Sequence, residues 1–187
     1  MSKILVVVDM QKDFIDGSLG TPEAQAIVPN VCDAIEKYAD PYTVIVFTKD
    51  THTNDYMNTL EGKNLPVPHC IKGTDGHEID PRVFAAYVDN KDKFANAFGD
   101  FGDNLIIEKP TFGSTDFQKF LTEIGTVEEV TLMGLCTGIC VMSNAILAKA
   151  TIPEATVNVV ADCSACVTPA SHQTALDAMK LCQINII

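Results

Sequence analysis

The fold class of this chain follows from one stretch, residues 130–148, which has the sequence VTLMGLCTGICVMSNAILA. Its first part, Val130–Leu135, is a continuous apolar run, which predicts a buried β-strand. The part from Ile139 to Ala148 predicts a helix, so Cys140 lies at a strand-to-helix turn. The N–H groups that open a helix favour a thiolate and can hold an oxyanion, as a thiol nucleophile requires. Most free cysteines are instead small buried hydrophobic residues, and Cys140 alone does not exclude that interpretation.

The same alternation of short apolar runs and longer amphipathic segments extends over the chain. The predicted strands are Ile4–Val8, Thr43–Thr48, Asn104–Glu108, Glu129–Gly134, Thr156–Ala161 and Gln183–Ile186. The predicted helices are Ala24–Tyr38, Asp116–Ile124, Ile139–Lys149 and Pro169–Leu181, with a short one at Pro81–Val88. Strand–helix–strand repetition predicts an α/β fold with a parallel sheet, covered by helices on both faces in the manner of Rossmann-type folds. We expect a single domain over 1–187, with a lid or binding insertion at about 50–102, where Asn, Pro, Gly, Asp and His replace the regular pattern.

Composition restricts the class of protein. Of the 187 residues, 47% are hydrophobic and 20% are charged, which is typical of one globular domain. The net charge of −12 argues against nucleic acid or an anionic membrane as a partner, since both need a cationic surface. The seven cysteines are odd in number and scattered, and no segment resembles a signal peptide or a membrane span. We therefore expect reduced thiols and a cytoplasmic location.

Three chemically active side chains follow three of the predicted strands. Asp9 ends the first strand, Lys109 the third, and Cys140 comes after the fourth. Because the carboxyl ends of parallel strands line one crevice, we expect the carboxylate, the ammonium and the thiol to lie at the same edge of the sheet. Each position also has an ordinary explanation, as a turn residue, a surface lysine or a core cysteine.

A second group of residues has the composition of a metal site. Asp50 and His52 follow the second strand at i and i+2, and His69 comes later with Glu61 between. Imidazole and carboxylate ligands suit Zn²⁺, Fe²⁺ or Mn²⁺. The alternative is a polar lid with ordinary turns. A rival metal site would use four thiolates, from Cys136, Cys140, Cys163 and Cys166, but their spacing is not that of a zinc finger, and Cys163 and Cys166 fit a core better.

These segments together resemble the isochorismatase-like cysteine hydrolases, and within them the nicotinamidase group. The resemblance rests on Asp9-Met10-Gln11-x-Asp13-Phe14, Gly17-Ser18-Leu19, Asp50-x-His52, Pro68-His69-Cys70-x-x-Gly73-Thr74, Lys109 with Phe112-Gly113-Ser114-Thr115, and Gly134-Leu135-Cys136-Thr137-Gly138-Ile139-Cys140-Val141. It covers nearly the whole chain in the right order.

The resemblance implies a role for each of these positions. It implies a six-stranded parallel sheet and a triad of Asp9 as general base, Lys109 as electrostatic partner and Cys140 as nucleophile. It implies a cis peptide at Leu135–Cys136 and an oxyanion hole formed by the N–H groups of Cys136 and Cys140. The implied substrate-binding residues are Phe14 and Leu19, and the implied ligands of a divalent metal, in the first place zinc, are Asp50, His52, His69 and Glu61. Family members are commonly homo-oligomers. Isochorismatase-type members generally lack the metal ligands, which favours the amide hydrolases.

The function expected from this resemblance is hydrolysis of nicotinamide to nicotinate and ammonia through a thioester, as a step of NAD salvage. Two departures bear on the substrate rather than on the chemistry: Gly138 stands where many relatives have Asp, and the chain has no tryptophan for a ring clamp. The alternatives are a related cysteine hydrolase that acts on another small amide or ureido compound, and a non-catalytic module that binds a small ligand or a metal.

Overall fold

The structure, a computed structural model, describes residues 2–95 and 106–187 as six strands and seven helices. The strands are β1 (Ser2–Val8), β2 (Thr43–Asp50), β3 (Ile106–Lys109), β4 (Val127–Leu135), β5 (Thr156–Ala165) and β6 (Asn185–Ile186). Each predicted strand overlaps one of these. The predicted third strand also included Asn104 and Leu105, which lie outside the described residues. The role of residues 50–102 as a lid stays a prediction, since part of that range is also outside them.

The helices are α1 (Lys12–Ile15), α2 (Pro22–Tyr38), α3 (Leu60–Asn64), α4 (Pro81–Asn90), α5 (Thr115–Glu123), α6 (Met142–Thr151) and α7 (Pro169–Leu181). The predicted helix Ile139–Lys149 is divided in two, because Thr137–Val141 forms a π-helical turn before α6 begins. The sequence missed α1 and α3, which are one turn long. None of the helices in residues 2–95 and 106–187 has the length and apolar character needed to cross a membrane.

All six strands belong to one parallel sheet with the order β3-β2-β1-β4-β5-β6. The chain therefore runs outward from β1 in one direction and then returns to start again at β4. The crevice of an open parallel sheet lies at this switch point, beyond the carboxyl ends of the central strands. Asp9 follows β1 and Cys140 follows β4, so the topology alone brings these two residues to the crevice.

The core has two halves, one on each face of the sheet. On one face, α5, α6 and α7 cover side chains such as Val6, Val46 and Leu132. On the other, α2 and α4 cover side chains such as Leu5, Val7 and Ile45. Because successive residues of β1 point to opposite faces and both faces are covered, the strand is apolar throughout, which explains why its sequence does not alternate. The predicted three-layer arrangement is confirmed.

The central strands approach each other very closely where they end. Gly134 of β4 is paired with Val8 of β1 and has a φ of +124°. A Cβ atom at this position would lie 2.1 Å from the Val8 carbonyl oxygen, so only glycine fits. Asp9 follows at a φ of +47°, in the left-handed region that non-glycine residues rarely adopt. The backbone at the crevice therefore has a rare conformation at the residue that carries the carboxylate.

Candidate active site

Three side chains from three strand ends meet beneath the crevice. Lys109 Nζ lies 2.7 Å from Asp9 Oδ2 and 3.5 Å from Cys140 Sγ. All three residues are buried, and the Asp9 and Lys109 side chains have no exposed surface. The structure therefore brings together the carboxylate, the ammonium and the thiol that the sequence places on one edge of the sheet.

The two oxygens of Asp9 have different partners. Oδ1 accepts a hydrogen bond of 2.7 Å from the Thr48 hydroxyl. Oδ2 forms the ion pair with Lys109, but no donor in the described part of the chain reaches it with hydrogen-bond geometry. Burial raises the pKa of Asp9, and the neighbouring Lys109 charge opposes that rise. Asp9 is thereby a stronger base than a carboxylate in water, with one oxygen able to receive a proton.

The thiol of Cys140 is more buried than its position at a helix start predicts. Burial raises its pKa well above the ordinary value, the negative charge of Asp9 raises it further, and Lys109 acts in the opposite direction. Burial at this turn therefore opposes the stabilisation that the helix N–H groups give to a thiolate. Because burial favours the neutral thiol, attack by this sulfur requires a base that takes its proton.

Next to these residues, four side chains form a group with the composition of a metal site. One ligand atom from each of Asp50, His52, Glu61 and His69 lies within 4.8 Å of the other three. The Nε2 atoms of His52 and His69 lie 3.0 and 3.4 Å from Asp50 Oδ2, and 3.5 and 3.9 Å from Glu61 Oε1. Four ligands at zinc distances of about 2.0–2.1 Å in a tetrahedron are about 3.3 Å apart. The spacing of this group fits a small divalent cation.

The hydrogen bonds around the group also prepare it for a cation. The Nδ1 of His69 donates to the Val67 carbonyl at 2.8 Å, which directs its Nε2 atom toward the other ligands. The backbones of the two histidine segments are joined, because the His52 N–H donates to the Cys70 carbonyl at 3.0 Å and the His52 carbonyl accepts from Lys72 at 2.9 Å. The four-thiolate alternative has no support, since no other group of three or more potential ligands occurs in residues 2–95 and 106–187.

Asp50 belongs to both clusters. Its Oδ1 lies 3.4 Å from Lys109 Nζ, while its Oδ2 faces the two histidines. Burial alone raises the pKa of this carboxyl, but the hydrogen bonds from His52 and His69 and the Lys109 charge hold it well below its usual value. Asp50 is therefore ionised, and it connects the ligand group to the Asp9–Lys109–Cys140 cluster by a single side chain.

The remaining predicted site residues lie around these clusters. Phe14 is half-buried, with its ring centroid 5.4 Å from that of His69. Leu19 is half-buried in the turn after α1, where its N–H donates to the Asp13 carbonyl. The Leu135–Cys136 peptide is cis, as the resemblance implies, and Cys136 is followed directly by the π-helical turn. Substrate contact by Phe14 and Leu19 and an oxyanion hole at Cys136 and Cys140 stay predictions.

Sequence reasoning missed two buried residues that hold these clusters. Gln11 is completely buried, and its amide donates to the carbonyls of Asp50 at 2.9 Å and His77 at 2.8 Å, while it accepts from the Asp50 N–H at 2.7 Å. Thr48 orients Asp9. The sequence places both residues close to predicted site residues, since Gln11 lies two residues after Asp9 and Thr48 lies two before Asp50. Nothing in the sequence, however, shows that their partners come from another strand.

Comparisons with known proteins agree with this geometry. The family model described as "Isochorismatase domain" matches residues 3–187. A nicotinamidase of Saccharomyces cerevisiae is 28% identical in an alignment over 184 residues, and the match covers 78% of this chain and 81% of the relative. The crystal structure of a pyrazinamidase/nicotinamidase from Streptococcus mutans is similar with a TM-score of 0.82 and 29% identity, over 100% of both chains. A pyrazinamidase of Pyrococcus horikoshii in complex with zinc has a TM-score of 0.77 and 28% identity, over 100% of this chain and 99% of its own.

Proposed function

Because the chain belongs to the isochorismatase family, we propose that it is a cysteine-dependent amidohydrolase that converts nicotinamide to nicotinate and ammonia. The relatives named nicotinamidase and pyrazinamidase support this substrate class. The observation that carries the proposal is the single buried cluster of Asp9, Lys109 and Cys140, which shares Asp50 with a group of metal ligands. A binding module has no need of a buried thiol in contact with a base and an ammonium.

The first half of the reaction uses all three residues. Asp9 Oδ2 takes the Cys140 proton, and Lys109 stabilises the negative charge as it passes between the carboxylate and the sulfur. The sulfur attacks the carboxamide carbon, and the oxyanion is held by the N–H groups of Cys136 and Cys140. Asp9 returns the proton to the departing nitrogen, so ammonia leaves and a thioester remains on Cys140.

The second half releases the acid. Asp9, ionised again, removes a proton from water, and the hydroxide attacks the thioester carbonyl. Collapse of the tetrahedral oxyanion breaks the C–S bond, and the sulfur recovers its proton from Asp9. The products are one carboxylic acid and one ammonia for each amide and water consumed. Nicotinate made in this way would enter NAD salvage.

The donor set of two imidazoles and two carboxylates fits zinc, with iron and manganese as further candidates. Asp50, His52, His69 and Glu61 would hold the ion. A bound cation would supply Lewis acidity close to the cleft, either to a heteroatom of the substrate or to a water. The choice of zinc is supported by the similar pyrazinamidase, whose structure is in complex with zinc. Assembly into a homo-oligomer and a cytoplasmic location stay predictions.

Ammonia release from nicotinamide tests the proposal. The wild-type chain should release ammonia and form nicotinate in equal amounts, and Cys140→Ala should release none. Cys163→Ala is a matched control, because Cys163 is another buried thiol, on β5, whose sulfur donates to the Asn30 carbonyl at 3.4 Å. It should keep nearly full activity. Release from pyrazinamide or from an N-carbamoyl compound but not from nicotinamide would indicate the related amide or ureido hydrolase. Full activity of Cys140→Ala would overturn the assignment.

A further inference from the structure

Asn144 is a buried polar residue on α6 that neither the sequence motifs nor the reaction scheme uses. It has no exposed surface. Its amide nitrogen donates to the Cys140 carbonyl at 2.8 Å and to the Phe112 carbonyl at 3.2 Å, and its oxygen accepts from the Ser114 N–H at 3.0 Å. These bonds use both amide hydrogens and the oxygen. Rotating the amide by 180° would set its NH₂ group against an N–H and its oxygen against two carbonyls, so the orientation is fixed.

The partners of Asn144 come from the two segments that carry the thiol and the ammonium. The Cys140 carbonyl belongs to the nucleophile itself, in the π-helical turn before α6. Phe112 and Ser114 belong to the loop that runs from Lys109 to α5, and the Ser114 hydroxyl caps that helix by accepting from the Phe117 N–H at 3.0 Å. One amide therefore joins the π-helical turn that contains Cys140, which we call the turn of the nucleophile, to the loop between Lys109 and α5, which we call the loop of the lysine.

Close packing holds the same loop against α6. A Cβ atom on Gly113 would lie 2.9 Å from Leu147 Cδ1 and 3.4 Å from Ser143 Cβ. The loop thus lies against the helix with no room for a larger residue. The residues on either side of Gly113, which are Phe112 and Ser114, are both hydrogen-bonded to the Asn144 side chain.

The sheet does not provide this connection. Lys109 ends β3 and Cys140 follows β4, and the strand order places β2 and β1 between them. With neighbouring strands about 4.8 Å apart, β3 and β4 are about 14 Å apart within the sheet. No ladder of hydrogen bonds therefore links the two strands directly. The 3.5 Å contact between Lys109 Nζ and Cys140 Sγ therefore joins the ends of two strands that are not neighbours in the sheet.

We propose that Asn144 is a positioning residue, which fixes the turn of the nucleophile against the loop of the lysine and so maintains the contact between Cys140 and Lys109. This inference rests on the proposed function for its effect on turnover. An apolar residue of similar volume would fill the space but leave two carbonyls and one N–H without partners, and the loop would move to satisfy them. A displacement of about 1 Å at a reacting group costs on the order of 100-fold in rate.

Three variants separate this role from ordinary support of the fold. Asn144→Ala removes every bond of the amide. Asn144→Ser keeps a hydroxyl that can bond to the Cys140 carbonyl one turn earlier, but it does not reach the loop, so it tests the connection itself and serves if the alanine variant does not fold. Asn158→Ala is the matched control, because Asn158 is a buried amide on β5 that donates to the Thr131 hydroxyl and accepts from the Asn185 amide, away from both segments.

The first measurement is steady-state ammonia release, with the urea midpoint of each variant determined in parallel. Both Asn144 variants should lose about 10- to 100-fold in kcat, with KM changed by less than about threefold. Asn158→Ala should lose a comparable part of its urea midpoint while kcat changes by less than about twofold. If the Asn144 variants keep kcat at the level of Asn158→Ala, the proposal is wrong.

The second measurement needs no substrate, so it distinguishes failure of this inference from failure of the proposed function. The rate of iodoacetamide labelling of Cys140 is followed against pH by peptide mass spectrometry. The charged groups that act on this thiol are Asp9, Lys109 and Asp50. If the loop moves Lys109 away, the thiol loses the charge that favours its ionisation, and the labelling profile should move to higher pH in both Asn144 variants. An unchanged profile would mean that Asn144 only supports the fold.

Discussion

Replacing Lys109 by methionine should destabilise the protein as well as inactivate it. Lys109 Nζ lies between Asp9 at 2.7 Å and Asp50 at 3.4 Å, with no exposed surface on its side chain. At an effective dielectric constant of about 20, these attractions are worth about 6 and about 5 kcal/mol. Removing the ammonium also removes its own desolvation penalty of several kcal/mol. We therefore expect Lys109→Met to lower the free energy of unfolding by about 3–5 kcal/mol.

A second substitution identifies the source of that loss. In the Lys109→Met variant, the carboxylates of Asp9 and Asp50 both lose the ammonium as their partner. Adding Asp9→Asn removes one of these two buried charges, so the double variant should be about 2 kcal/mol more stable than Lys109→Met alone. Neither variant should release ammonia. Lys119→Met is the control, because the Lys119 side chain is 70% exposed and its ion pair with Glu123 is 3.8 Å long, so its free energy of unfolding should change by less than about 0.5 kcal/mol.

Urea unfolding followed by circular dichroism measures these free energies, in protein freed of metal by a chelator so that Asp50 has no other cation. An unfolding midpoint of Lys109→Met equal to that of the wild type would refute the buried ion pair. Turnover of Lys109→Met within about threefold of the wild type would refute its catalytic role.

Three further outcomes are expected. Thr48→Val removes the hydrogen bond that lowers the pKa of Asp9, so the acid limb of the kcat/KM profile should move to higher pH, since Asp9 must be ionised to accept a proton; an unmoved limb would contradict this. Gly134→Ala should lower the free energy of unfolding by about 3 kcal/mol or more, and by clearly more than Gly125→Ala, which has a positive φ but open space around the new methyl group. Zinc at about 100 times its Kd should raise the free energy of unfolding of the wild type by about 2.7 kcal/mol, as measured by thermal denaturation, and that of His69→Ala by much less. An equal increase in both proteins would place the ion elsewhere.

The sequence predicted the strands well because burial on both faces makes each of them a continuous apolar run. It could not predict their irregularities. Between Leu132 and Gly134 of β4 the pairing shifts from Val159 to Ser164 of β5, so β5 continues to Ala165 instead of ending at Ala161. The polar residues at this shift resemble a loop in the sequence. Similarly, the helical pattern after residue 139 contains no sign that Thr137–Val141 is a π-helical turn.

The candidate site was predicted through chain direction, because every strand of a parallel sheet delivers its last residue to the same edge. The side chains that orient the site were not predicted. Thr48 and Gln11 act across neighbouring strands, and Asn144 acts on a loop 30 residues earlier in the chain. Such contacts depend on the final packing. The burial of Cys140 was also not predicted, since a local pattern shows the helix start but not how much of the surrounding chain covers the sulfur.

The most direct test of the central claim is to look for the acyl group on the sulfur. The chain is mixed with nicotinamide, quenched in acid within the first turnover, digested and examined by mass spectrometry. We expect the mass of a nicotinoyl group on the peptide that contains Cys140, absent without substrate and lost as nicotinate forms. Ammonia release at the full rate with no acyl group on that peptide, or with the group on another cysteine, would contradict the account.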